Sequence, residues 1–253
     1  MKSIAIVMEK GGVGKTTTTL NLGDALAQRG KRVLMIDLDA QRSLTQWCGV
    51  ASADANKTIY SALLSDADPN AMVIDRKRGA SLLPGSSAMA EVADKLNRDV
   101  APQFALRDVI AKLEPGWDFV LIDCPPSLNI LTTNALTAAT HCIIPVKTDF
   151  ISIAGLPGVL ASIKKVQSRL NPNLVNVGVL PTLHSGQLKE HANTLAYLTS
   201  QLPALKTPVL DPIPRTTAVE QSSSKQTSVV LSASDATASV AYMALATFLI
   251  QTL

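Results

Sequence analysis

Residues 9–17 read Glu9-Lys10-Gly11-Gly12-Val13-Gly14-Lys15-Thr16-Thr17, three glycines set between two lysines and followed by two hydroxyls. Glycines let successive backbone N–H groups converge on one anion, a lysine neutralises it, and a threonine hydroxyl is an oxygen ligand for magnesium. The chemistry is phosphate binding. Residues Gly11, Gly12, Val13, Gly14, Lys15, Thr16 and Thr17 are expected around the phosphates of a nucleotide, with Lys15 at the β- and γ-phosphates and Thr16 on Mg2+. Three acids suit the same chemistry. Asp37 and Asp39 close one apolar run and, by alternation, share a face; Asp123 closes another, Phe119-Val120-Leu121-Ile122. An apolar strand ending in Asp beside a phosphate loop is where magnesium is held, commonly through water, and the competing role for Asp123 is an N-cap of the next helix.

Those residues act together only if the right elements carry them. Residues 3–8 are apolar enough for a buried parallel strand, and residues 16–29 place Leu20, Leu22, Leu26 and Ala27 at helical spacing. The glycines then lie between strand and helix, with the positive end of the helix behind the phosphates. Further buried strands are expected at residues 33–36, 80–83, 119–123, 142–146 and 174–180, and helices at 58–64, 87–96, 106–113 and 235–249. In the last of these Val240, Met243, Ala244 and Phe248 suit a core face. The arrangement is an open α/β sheet, whose ligands bind beyond the carboxyl ends of its strands. It is not a dinucleotide fold of the usual kind, because Thr17 stands where the third fingerprint glycine is required.

The phosphate loop is also unusual, since Glu9 occupies the place of its customary first glycine and Lys10 follows it. Lys10-Gly11-Gly12-Val13-Gly14-Lys15-Thr16 resembles the deviant Walker A motif of the ParA/MinD/NifH class of ATPases. Asp37-Leu38-Asp39-Ala40-Gln41 is similar to the D-x-D-P-Q segment of ParA/Soj-type enzymes, with Ala40 replacing the usual proline. Asp123-Cys124-Pro125-Pro126-Ser127-Leu128 and Thr133-Asn134-Ala135-Leu136 match that family closely, and Pro212-Ile213-Pro214-Arg215 resembles a segment that lies near its adenine.

The resemblance implies a single three-layer P-loop NTPase domain over residues 1–253, with a mostly parallel central sheet between helices and no preceding helix-turn-helix. It implies ATP and Mg2+ as cofactors and a slow ATPase that dimerises on ATP. Lys10 crosses to the second copy's nucleotide, Asp39 orients or activates the water, and Asp37 supports the metal shell with Thr16 and Asp123. Pro212, Ile213 and Pro214 border the base. As a partition ATPase the dimer binds DNA without sequence preference, through candidates Lys164, Lys165, Arg169, Lys189, Arg215 and Lys225. A ParB-type partner then stimulates hydrolysis. A relative that positions a protein cargo on the nucleoid is the alternative. A MinD-like membrane regulator calls for a basic amphipathic helix at the end, and residues 239–253 contain no Lys or Arg.

Composition sets the outer bounds. The 253 residues suffice for one sizeable α/β domain, and a formal charge of +3 is too small to declare nucleic-acid binding by itself. Its placement is more telling, for residues 147–253 hold eight basic against five acidic residues. Cys48, Cys124 and Cys142 share no metal or redox spacing and are expected as reduced, buried thiols. His184 and His191 are expected on polar surface without a zinc role, residues 221–228 as a serine-rich surface loop, and Arg76-Lys77-Arg78 as a solvated turn. With a strand starting at once, no leader is expected, and the protein is read as cytoplasmic and nucleoid-associated.

Overall fold

A computed structural model of the chain describes residues 1–50, 54–65, 67–96 and 100–253. Strands Lys2–Ile6 (β1), Val33–Asp37 (β2), Ser81–Leu83 (β3), Phe119–Asp123 (β4), His141–Lys147 (β5) and Val175–Thr182 (β6) form one sheet. Its order is β3-β2-β4-β1-β5-β6, and every neighbouring pair is parallel. The α-helices among the described residues are Lys15–Gln28 (α1), Ser43–Trp47 (α2), Ile59–Leu64 (α3), Met89–Leu96 (α4), Ala105–Ala111 (α5) and Ile130–Ala138 (α6). Phe150–Ile153 (α7), Leu156–Arg169 (α8), Lys189–Gln201 (α9), Thr217–Ser224 (α10), Val229–Ser232 (α11) and Thr237–Thr252 (α12) complete them.

A parallel sheet hides both faces, and this one does so with alternating side chains. Ile4, Ile6, Val33, Met35, Phe119 and Leu121 join α1, α11 and α12 in one apolar core. Ala5, Val7, Leu34, Ile36, Val120 and Ile122 join α3 to α6, α8 and α9 in the other. The result is the expected three-layer α/β architecture. Helix α1 lies close on the sheet because residue 23 is glycine; a Cβ there would stand 2.7 Å from Met35 Sδ and 3.3 Å from Ala80 Cβ.

Register then gathers the acids. Ile6, the last residue of β1, pairs with Asp123, and Asp123 pairs with Asp37, so two carboxylates stand side by side where the β1–α1 loop leaves the sheet.

Four expectations change. Helix α12 turns Tyr242, Leu245, Ala246 and Leu249 inward and leaves Val240, Ala244 and Phe248 exposed. The segment is apolar nearly all round, so its sequence does not fix its phase. The first half of the serine-rich stretch, residues 221–224, is the end of helix α10 and residues 225–228 are the expected loop: Thr216 caps the helix, and the hydroxyls of Ser222, Ser223 and Ser224 donate to carbonyls three residues back at 2.8, 2.8 and 2.9 Å. Arg76 is not a solvated charge, because its guanidinium lies 2.9 Å from the fully buried carboxylate of Asp24. His191 is buried and accepts a hydrogen bond from Ser185 N at 3.0 Å, while His184 is half-buried 6.1 Å away, ring to ring.

Candidate functional site: the glycine loop and its acids

The glycine loop takes the shape that its residue types permit. Gly12 and Gly14 have φ of 72° and 85°, a region costly for any residue with a Cβ. Helix α1 begins directly after Gly14 without a side-chain cap, so its first N–H groups face the loop. Two contacts brace the loop from within. Lys15 Nζ donates to Lys10 O at 3.0 Å, and the hydroxyl of buried Thr182, at the end of β6, donates to Val13 O at 2.8 Å. Thr182 was legible only as the end of a strand; its bond spans 169 residues of sequence. Lys10 itself is half-buried.

Asp123 is fully buried at the end of β4. Its Oδ1 shares the Thr19 hydroxyl proton, at 3.3 Å, with Lys15 O at 3.1 Å, and its Oδ2 has no hydrogen-bond partner. The next helix, α6, is capped instead by Asn129, whose side chain accepts from Leu131 N and Thr132 N. Burial pushes the Asp123 carboxyl well above the ordinary range, the charge of Asp37 pushes further, and Thr16 and Lys15 pull it back. Lys15 is lowered by its own burial and raised by Asp123. A buried carboxylate oxygen left without a donor beside a threonine hydroxyl fits a hydrated divalent cation, whose charge would offset that burial.

Asp37, also fully buried, is furnished differently. Its Oδ1 accepts from Asp39 N at 3.1 Å, and its Oδ2 accepts from Thr45 N at 2.9 Å and Thr45 Oγ1 at 2.6 Å. Burial raises this carboxyl to about 6 against those donors. Asp39 is half-buried, and its Oδ1 accepts from Gln41 N at 2.9 Å. Thr45 and its partner Gly85 carried no chemical signal in the sequence.

Beside the loop lies a cleft of about 150 Å3 walled by Gly12, Gly14, Thr17, Ile213, Pro214 and Tyr242. Pro212 does not line it. The segment is held on the edge of β6, with Ile213 N donating to Pro181 O at 2.8 Å and His184 N to Ile213 O at 3.0 Å. A larger, apolar groove of about 910 Å3 runs between α8 and α9, away from the glycines and the acids. Lys164, Lys165, Arg169, Lys189, Arg215 and Lys225 are all exposed, the first three on α8 and the others at α9 and around α10.

Cys124 and Cys142 are buried, and Cys48 is half-buried, so the expected burial holds for two of the three. Burial pushes the thiols of Cys48 and Cys142 up to about 12 and that of Cys124 higher, which leaves little thiolate for catalysis. Among the described residues no helix is long and apolar enough to cross a membrane.

Known proteins are similar to this chain in sequence and fold. The family model described as an AAA domain matches residues 1–176. The sporulation initiation inhibitor protein Soj of Bacillus subtilis is 38% identical over 187 residues, 72% of each chain. The chromosome partitioning protein ParA of Caulobacter vibrioides is 37% identical over 187 residues, 73% of this chain and 70% of its own. Among solved structures, cobyrinic acid a,c-diamide synthase from Mycobacterium smegmatis with bound ATP analogue and magnesium superposes with a TM-score of 0.85 at 33% identity, covering 99% of this chain and 95% of that one. With a glycine loop of this form, a wholly parallel sheet and these identities, the chain belongs to the ParA/Soj family of P-loop partition ATPases.

Proposed function

We propose that the protein is a nucleotide switch for DNA partition. It binds Mg·ATP, pairs with a second copy across the bound nucleotides, holds DNA without sequence preference as that dimer, and separates when a ParB-type activator speeds hydrolysis. The observation that carries the reading is the fully buried Asp123 oxygen without a hydrogen-bond partner, at the end of the strand beside the glycine loop.

In this reading the N–H groups from Gly11 to Thr17 hold the phosphate oxygens, and Lys15 neutralises the β- and γ-phosphates. Thr16, with Asp123 and Asp37, would hold magnesium, whose charge would offset that of the triphosphate. The base enters the cleft walled by Ile213 and Pro214, and Pro212 stiffens that segment from outside. Asp39 holds a water in line with the γ-phosphorus. The water oxygen bonds to that phosphorus as its bond to the ADP oxygen breaks, giving ADP, inorganic phosphate and a proton. Lys10 brings its ammonium to the nucleotide of the second copy, so one chain alone lacks part of the charge that the transition state needs. Turnover is therefore slow until a partner intervenes, and the protein resides in the cytoplasm, on the nucleoid.

DNA binding follows from doubling an exposed basic surface. Each of Lys164, Lys165, Arg169, Lys189, Arg215 and Lys225 that reaches a phosphate in both copies adds two to the counterions released. The test is binding to random-sequence duplex DNA with ATP, with ADP and without nucleotide, across a salt series. Binding that requires ATP and weakens steeply with salt is expected; equal binding in all three states, or none, contradicts partition on DNA and favours another cargo.

A further inference from the structure

Asp39 sits in a loop that leaves the sheet at Asp37 and comes back to it. Asp39 N donates to Asp37 Oδ1, and eight residues along the chain from Asp37 the backbone N–H and hydroxyl of Thr45 both donate to Asp37 Oδ2. The Thr45 hydroxyl also accepts from Gly85 N at 2.9 Å, so its one proton is committed to Asp37 and one of its lone pairs to the turn that follows β3. Asp37 and Thr45 are both fully buried, which makes each of these bonds costly to leave unmade. Gly85 completes the clasp, since a Cβ there would stand 2.9 Å from Asp37 Cγ and 3.0 Å from Asp37 O.

We propose that Thr45 is the positioning residue for Asp39: its hydroxyl, clasped between Asp37 and Gly85, fixes the segment that carries the water-holding carboxylate. The inference rests on the reading of Asp39 given above. Within residues 38–44, Asp39 is held locally, through Gln41 N to its Oδ1 and Arg42 N to its carbonyl, both at 2.9 Å. Those bonds shape the turn but do not anchor it to the sheet. Leu38 N, donating to Asp123 O at 3.1 Å, ties the start of the loop to β4, and beyond it the tie is Asp37, which accepts from Asp39 N, Thr45 N and the Thr45 hydroxyl. A valine at position 45 keeps the shape and the backbone donor but strands Gly85 N and removes the shortest bond to Asp37. An Asp39 displaced by a fraction of an ångström still permits nucleotide to bind, while it spoils the alignment that hydrolysis needs.

Thr45→Val, Thr45→Ser, Gly85→Ala and Asp39→Ala are compared by phosphate release and by the affinity of a fluorescent ATP analogue with magnesium. Thr45→Val is expected to lower kcat about 10- to 100-fold, with analogue affinity changed less than about twofold. Thr45→Ser, which keeps the hydroxyl, is expected within about threefold of the wild type, and Gly85→Ala to follow Thr45→Val. Wild-type turnover by Thr45→Val, or a serine variant as slow as the valine one, overturns the inference. If Thr45→Val does not fold, Gly85→Ala decides, and its turning over at the wild-type rate overturns the inference as well. An Asp39→Ala protein that hydrolyses normally refutes the reading of Asp39 itself; a slow Asp39→Ala beside a normal Thr45→Val refutes the positioning role alone.

Discussion

The ammonium of Lys15 donates a hydrogen bond to the backbone carbonyl of Lys10, 3.0 Å away, so the glycine loop is wrapped around its own lysine. That carbonyl is a neutral acceptor, and a phosphate oxygen in its place makes a stronger, charge-assisted bond. Lys15→Gln keeps a donor of similar reach and removes the charge. Affinity for a non-hydrolysable ATP analogue, measured by titration calorimetry with magnesium, is expected to fall about 10- to 100-fold while the melting curve stays close to wild type. Unchanged affinity would remove Lys15 from the triphosphate.

The pair between Arg76 and Asp24 makes a prediction about stability alone. Asp24 is fully buried in α1 and also accepts from Ala80 N at 2.9 Å, so truncating the arginine strands a carboxylate. Arg76→Ala is expected to destabilise the fold by about 3–5 kcal/mol, and Lys77→Ala, an exposed neighbour, by less than about 0.5 kcal/mol. Urea denaturation distinguishes them, and equal effects would make the segment the solvated turn that its composition suggests.

Burial, with the charge of Lys2 added, lowers the His141 pKa below 6.5. As pH falls past 6.5 the unfolded chain takes up a proton that folded His141 resists, so the unfolded state gains and stability is lost on the acid side. His184 is lowered too, by burial and by His191, and acts in the same direction. Urea midpoints at about pH 7.5 and about pH 5.5 are expected to differ less in His141→Gln than in the wild type, and least in a variant that also carries His184→Gln. An unchanged difference would show that neither imidazole titrates abnormally.

How far the sequence could be read depended on how local each signal was. The glycine loop, the buried strands and the acids at their ends are each encoded within a few residues, and the fold they imply is the fold observed. Thr182, Thr45 and Gly85 act through partners 169 and 40 residues away, and no local pattern marks them. Arg76 looked like one of three surface cations because its partner lies 52 residues earlier. The phase of α12 is hidden for a different reason: with apolar residues nearly all round, packing against α1, α11 and the sheet decides which of them turn inward.

The most direct measurement is the mass of the protein in solution by light scattering, with magnesium and a saturating non-hydrolysable ATP analogue. The account predicts twice the 26.7 kDa of one chain for the wild type, and a single chain that still binds the analogue for Lys10→Ala. A wild type that remains at 26.7 kDa, or a Lys10→Ala protein that doubles as readily, would contradict it.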